Sequence, residues 1–393
     1  MQPVRVLLAP DSFGTSLTAA QAAAAQAEGW RRAAPDDDLD LLPLADGGPG
    51  FVETLHAALG GQLVPVTVGS PIGEPVPAAL LHAPDGTVYV ESAHAVGLQL
   101  VPTDRRDPTR TTSRGVGELL AHALDAAPRR VVVGLGGSAT NDAGAGMLAG
   151  LGLRSPRLGA GGGALVASTA DDLAGLRELR ARWRGVELLV ATDVDVPLLG
   201  LTGASAGFAP QKGATPQQAQ ELERALDAFA RAAVAALGDD LRPDLLAGPA
   251  RPAAQRLTTT PGAGAAGGLG FGLTLLGARL LPGASLVADL VGLDGRIGVA
   301  DVVVTGEGRF DWQSLHGKVA SEVARRALEH GVPTVVLAGQ VLVGRRELSA
   351  AGITAAYAVA DAPHDVDAAL ADPAGTLRAR AERVARTWSR PGA

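Results

Sequence analysis

Cysteine is absent from the 393 residues, which excludes disulfides, thiolate metal sites and a cysteine nucleophile together. Lysine is nearly absent. Of 34 basic side chains only Lys212 and Lys318 are lysines, and the other 32 are arginines. Aromatic residues make up 3% of the chain, so its cores must be assembled from Ala, Val and Leu. There is no basic run, and the net charge is −7, which gives nucleic acid no electrostatic invitation. Long hydrophobic runs are missing too. The longest uncharged stretch, around 262–278, is interrupted by seven glycines, which argues against a membrane span. Met1-Gln2-Pro3 leads straight into an apolar run, with no room for a signal peptide. No histidine cluster has zinc-ligand spacing, and no Gly-x-Ser-x-Gly elbow occurs, so zinc and serine-hydrolase chemistry lack support. The expectation is a soluble cytoplasmic protein with no nucleic-acid or membrane partner.

What is present is an α/β pattern. Hydrophobic residues reach 47% over a length that calls for two domains rather than one core. Short apolar runs alternate with alanine-rich helical stretches, as in proteins with mainly parallel strands. Strands are predicted at Val4–Leu8, Val131–Gly134, Leu188–Ala191, Val302–Thr305 and Thr334–Leu337, each ending in a polar or glycine-rich loop. In open α/β sheets that carboxyl edge is where ligands bind. Thr215, Pro216 and Gln218 form an N-cap, first-turn proline and capping-box partner. Leu222, Leu226, Phe229, Ala233 and Leu237 then line one helical face, and Gly238 stops it. Asp85-Gly86, between Ala78–Leu81 and Thr87–Val90, predicts an antiparallel hairpin. Two α/β lobes follow, one with mixed strand pairing.

Five loops carry residues suited to chemistry. Ala9-Pro10-Asp11-Ser12-Phe13 follows the first strand, and Leu44-Ala45-Asp46-Gly47-Gly48-Pro49-Gly50 follows another. Asp46-Gly47-Gly48 puts a carboxylate where backbone can approach a ligand without Cβ interference. In Gly134–Gly144 the small residues offer backbone N–H groups to an anion. Gly134-x-Gly136-x-x-Ala139 also fits a dinucleotide fingerprint, but the acidic residue expected about 20 positions later is missing, which disfavours a nicotinamide oxidoreductase. Asp193 and Asp195 lie two apart beyond a strand, on one side of extended backbone, fit to hold Mg²⁺ or take a hydroxyl proton. Thr305-Gly306-Glu307-Gly308-Arg309-Phe310-Asp311, ending near Lys318, gathers a carboxylate, a guanidinium and an ammonium without being a Walker A loop. Lys212 and Lys318 each neighbour a glycine, as an anion-binding lysine would, although a GC-rich genome also drains lysine. Each loop is a weak signal by itself. Together they describe phosphoryl transfer, with anion-cradling glycines, carboxylates for Mg²⁺ and cations for the developing charge.

These loops resemble the bacterial glycerate kinases that phosphorylate a short hydroxy acid with ATP. The matching stretches are 9–13, 44–48, Gly136–Gly144, Ala191–Asp195, Gly207–Ala214, Gly264–Gly270 and Thr305–Gly308, in family order over nearly the whole chain. The resemblance implies a Rossmann-like parallel-sheet lobe from both chain ends, residues 1–66 and 288–393, with an inserted mixed α/β lobe at 67–287. It implies ATP and Mg²⁺ as cofactors and D-glycerate as substrate, and leaves a homodimer open. Asp193 would accept the hydroxyl proton, and Asp195 with Asp193 would hold Mg²⁺. Gly136, Gly137 and Ser138 would offer donors to phosphate or substrate carboxylate, with Asp11, Ser12, Gly47 and Asn141 in the same binding set. Asp46 and Glu307 would complete metal or hydroxyl contacts, while Lys212, Lys318 and Arg309 supply positive charge. Three positions depart from the family: Gly14 replaces a lysine, Pro49 a glutamate and Val196 an asparagine. The departures keep two rivals in view, a kinase of a different small hydroxy acid on the same fold and a catalytically silent ligand-binding relative.

Overall fold

The short apolar runs form strands and the alanine-rich stretches between them form helices, in a computed structural model that describes residues 3–241, 252–315 and 317–389. The chain divides into two units, one of Met1–Asp46, Glu53–Gly60 and Gly283–Ala393, the other of Gly47–Val52 and Gly61–Pro282.

The first unit is built on an all-parallel sheet. Its strands run in the order Ala355–Ala358, Thr334–Ala338, Val302–Thr305, Arg5–Leu8, Asp38–Leu41. The central strands are valine- and leucine-rich without alternation because helices cover both of their faces. From Arg5–Leu8 the chain winds outward in one direction, and from Val302–Thr305 it winds outward in the other. The strand order therefore reverses between these two neighbours, which is where such sheets open a crevice at their carboxyl ends. Beneath, Val6, Leu8, Val304, Val335 and Leu337 pack with Trp30, Leu377 and Val384 from the helices Ala19–Ala33 and Pro373–Trp388. Those helices approach closely: a Cβ on Gly29 would lie 2.1 Å from the Arg378 carbonyl oxygen.

The second unit carries a six-stranded mixed sheet, in the order Gln62–Gly69, Pro75–His82, Thr87–Glu91, Arg130–Leu135, Glu187–Thr192, Arg279–Pro282. The first two pairings are antiparallel and the remaining three parallel. The expected hairpin turn is present, with Gly86 at φ +82° and Asp85 accepting from both the N–H and the hydroxyl of Thr87. The expected helix spans Pro216–Leu237, with the reciprocal Thr215–Gln218 capping box at its start and Gly238 at its end. Its apolar stripe seats Leu222, Leu226 and Phe229, and Phe229 meets Phe271 edge-to-face at 6.2 Å. Among the described residues no helix is long and apolar enough to cross a membrane.

Candidate active site

In the first unit, the carboxyl ends of three adjacent strands deliver Asp11 after Arg5–Leu8, Asp46 after Asp38–Leu41 and Glu307 after Val302–Thr305. Backbone bonds fix the loops, with Asp11 N–H donating to Gly306 O and Leu44 N–H to Pro10 O. Lys318 stands at the N-cap of the helix Val319–Glu329, its Nζ 3.6 Å from Asp46 Oδ2. The close packing beneath Asp46 needs glycine, because a Cβ on Gly283 would fall 1.7 Å from Asp46 O. One ammonium thus faces three carboxylates. Burial, then the charges of Asp46 and Glu307, push the Asp11 carboxyl well above its ordinary range, while Ser12 N–H, 2.6 Å away, and Lys318 oppose the rise. Glu307 is pushed up to about 7, by burial first and by Asp46 and Asp311 after, against Ser314 and Lys318. Its Oε1 is buried with no hydrogen-bond partner. Arg309 is different. It is 66% exposed and pairs with Asp311 at 3.4 Å.

In the second unit the parallel strands end in a stitched loop. Leu98 N–H donates to Gly137 O and Ala139 N–H to Val96 O, leaving the N–H groups of Gly136, Gly137 and Ser138 out of that stitching. Gly136 packs on Gly48, since a Cβ there would meet Gly48 Cα at 2.6 Å. Gly47, at φ +100°, packs likewise against Ala191 O. The glycine-rich run that begins at Gly264 has a related purpose. Ala266, Gly267 and Gly268 take left-handed conformations, and a Cβ on Gly267 would sit 1.9 Å from Thr140 O.

Lys212 enters this loop from below. It is 3% exposed and its Nζ donates to Ser138 Oγ at 2.9 Å and Thr140 O at 2.7 Å. Burial lowers its pKa to about 7, against the favourable charge of Asp142. Asn141 Nδ2 donates to Ser205 Oγ at 3.0 Å, and its Oδ1 is buried without a partner. Asp193 is half-buried at the end of Glu187–Thr192, and Asp195 is exposed.

Of the residues singled out by sequence, Asp11, Asp46, Glu307 and Lys318 come together in the first unit, with Ser12 beside them. In the second, Gly136, Gly137, Ser138, Asn141 and Lys212 come together, with Gly47 packed behind. Two carboxylates went unnoticed. Asp142 is fully buried and accepts from Ser113 N–H and Oγ–H and from the N–H groups of Gly144 and Gly146, so it is the loop's internal strut. Glu91 is 3% exposed and accepts from Gly50 N–H at 3.0 Å and Val52 N–H at 3.2 Å. It thereby caps the helix Phe51–Leu59 at the turn where Pro49 departs from the family. A lone charge ending the apolar strand Thr87–Glu91 was its only signal.

Among the described residues no three His, Asp or Glu side chains could enclose a metal ion by themselves. Mg²⁺ seldom needs such a cage, since it keeps waters and takes one or two carboxylates with substrate phosphates. The carboxylates beside Glu307 fit a cation: they crowd one another, and one buried oxygen has no donor.

Residues 6–389 match the model of the glycerate kinase family. The chain is 42% identical to the glycerate kinase of Bacillus subtilis strain 168, over 91% of this chain and 90% of that protein. It is 39% identical to the glycerate 2-kinase of Escherichia coli K12, with the same coverage of each. The crystal structure of a proposed glycerate kinase 2 from Salmonella typhimurium LT2 superposes with a TM-score of 0.78 at 38% identity, covering 98% of both chains. Motif order, sheet topology and these likenesses agree: the chain belongs to the glycerate kinase family.

Proposed function

We propose that this kinase transfers the γ-phosphoryl group of ATP, with Mg²⁺, to a hydroxyl of D-glycerate in the cytoplasm. The observation that carries the reading is the group of three carboxylates and one ammonium at the strand-order reversal of the parallel sheet. That is the charge pattern a cation–polyphosphate pair requires, with carboxylates toward the cation and an ammonium toward phosphate oxygens. When bound, Mg²⁺ supplies charge neutralisation to phosphate oxygens. Asp195 and Asp193 are the carboxylates assigned to it, and Asp46 and Glu307 make metal or hydroxyl contacts.

Asp193 takes the proton of the attacking hydroxyl. Its half-burial leaves the carboxylate reachable by a substrate hydroxyl. Gly136 and Gly137 N–H groups with Ser138 hold an anionic group at the strand end, phosphate or substrate carboxylate. Asn141 is fixed behind them, and Asp11 and Ser12 belong to the binding set of the first unit. Lys318 supplies positive charge beside Asp46, with Lys212 and Arg309 as further cations.

The test is ADP release by purified protein with Mg²⁺, ATP and D-glycerate, with ³¹P NMR of the product. Turnover above roughly 1 s⁻¹, within the range of small-substrate kinases, supports the reading and identifies the phosphorylated hydroxyl. A second reading, a different small hydroxy acid as acceptor, is favoured by Gly14, whose Cβ position has nothing within 4 Å. The space that the family gives to a lysine is open here. Turnover with another hydroxy acid and none with glycerate would select that reading, and tight binding without turnover would select a silent relative.

A further inference from the structure

Lys212 is too deeply buried to serve as a mobile counter-ion. At 3% exposure its ammonium is committed to two acceptors, Ser138 Oγ and Thr140 O. Both belong to one loop, and the backbone of that loop cannot drift. Leu98 and Ala139 tie it to Val96–Leu98, and Thr111 Oγ1 donates to Ala139 O at 2.9 Å. The segment that brings Lys212 grips the loop a second time, where Ser205 Oγ accepts from Asn141. Ser138 itself is 6% exposed. A serine hydroxyl has one proton and two lone pairs. Where an ammonium fills the inward lone pair, the proton has to point elsewhere.

We propose that Lys212 is a positioning residue that acts through Ser138. It donates to Oγ and so commits the single hydroxyl proton of Ser138 to an anionic oxygen of the bound substrate or nucleotide. The proposal rests on the kinase reading and refines it, because it moves the direct contact from the lysine to the serine. A charge-assisted hydrogen bond shortens and strengthens the chain of donors beyond it. The converse state is equally defined. A neutral amine carries a lone pair, which accepts the Ser138 proton and turns the hydroxyl inward, so the ligand loses its donor. Proton on Lys212 and anion at Ser138 therefore favour each other, as linkage requires. The groups facing Lys212 agree with a switch near neutral pH. Burial lowers its pKa to about 7, and Asp142 of the same loop opposes with its negative charge. Arg106, whose carbonyl abuts Gly213, turns its guanidinium to Val101 O.

The test has two arms. In steady-state kinetics, Ser138→Ala and Lys212→Met each lose about 100-fold in kcat/KM, the scale of one lost transition-state donor. The double variant loses no more than about threefold beyond either, because both substitutions remove one chain of donors. Ser138→Thr, which keeps a hydroxyl, recovers most of the loss. Losses that multiply in the double variant would show Lys212 acting on the ligand directly and would overturn the proposal. The second arm needs neither a folded Lys212 variant nor turnover. Calorimetric titration of wild type and Ser138→Ala with MgATP, and separately with D-glycerate, is run from ~pH 6 to ~pH 8.5. One dissociation constant weakens about tenfold with rising pH in wild type and stays flat in Ser138→Ala. A flat wild-type profile, or the same slope in both proteins, sinks the proposal. Failure to phosphorylate glycerate would instead count against the functional reading and leave this second readout intact.

Discussion

The two sheets end in loops of opposite electrical character. At the carboxyl edge of the first unit, Asp11, Asp46 and Glu307 crowd around one lysine, and a buried carboxylate oxygen has no donor. At the carboxyl edge of the second, the charged groups are satisfied internally: Asp142 accepts four donors and Lys212 reaches two acceptors, although Asn141 Oδ1 and Thr140 Oγ1 are buried without partners. The first edge is left in electrostatic debt, which a bound cation would relieve. The second is a rigid, nearly neutral cradle whose outward donors come from backbone and one serine. An edge that must receive a cation can tolerate internal repulsion. An edge that must receive an anion without reorganising is better built in advance, since preorganised donors cost nothing at the moment of reaction.

Asp193 is the exception on the neutral edge, so changing it should have the largest effect. Asp193→Asn keeps size but cannot accept a proton. Turnover is expected to fall by at least about a hundredfold, while the thermal midpoint moves little because the site is half-buried. Rapid-quench measurement of the phosphoryl-transfer step isolates the effect from product release. Near-normal transfer would remove Asp193 from the base role and return attention to the acidic edge.

The next effect tests whether the acidic edge carries the burden its geometry implies. Glu307 is raised from 4.5 to about 7, chiefly by burial. A carboxyl raised in the folded state binds more protons folded than unfolded between those values. Its stability contribution is therefore full below about pH 4.5 and is lost as pH rises through about 7. Without Mg²⁺, the thermal midpoint should drop by several degrees across that window, since the shift corresponds to at most roughly 3 kcal/mol and each kcal/mol moves the midpoint about 2–4 °C in a unit of this size. Glu307→Gln should flatten the drop, and added Mg²⁺ should raise the midpoint most above pH 7. A wild-type midpoint unmoved between pH 5 and 8 would mean that the edge is not strained by its own charge.

The two edges were unequally legible in the sequence. Strands, the 216–237 helix and the 85–86 hairpin follow from periodicity and turn chemistry, which are local, and they are found where local rules put them. Asp11, Asp46, Glu307 and Lys318 could be named from their loops because each follows a strand or caps a helix. That they meet depends on strand order, which no local pattern encodes. Asp142 and Glu91 were missed for a related reason. A buried carboxylate that accepts backbone N–H groups from a distant segment looks, in sequence, like any other acidic residue. Arg309 is the opposite case. Its place in a glycine-rich loop is legible in the sequence, but its exposure is set by the short strand Arg309–Phe310, which alternates its side chains, burying Phe310 and leaving Arg309 exposed beside Asp311.

The smallest expected effect separates the preorganised edge from the helix that follows it. Lys212 and the helix Pro216–Leu237 are joined by three residues, and Thr215 caps that helix through Gln218. If the position of Lys212 were inherited from the helix, fraying the first turn would loosen the Ser138 contact as well. Thr215→Ala removes the cap at a cost of about 1 kcal/mol, readable as a drop in denaturation midpoint. Lys212, however, is held by its own two bonds, and the turn beneath it by Gly213, whose Cβ position lies 2.5 Å from Arg106 O. The variant should therefore lose stability while kcat and both KM values stay within about twofold of wild type. A KM that rises with the loss of the cap would mean that the cradle borrows its rigidity from the helix, and the contrast between the two edges would narrow accordingly.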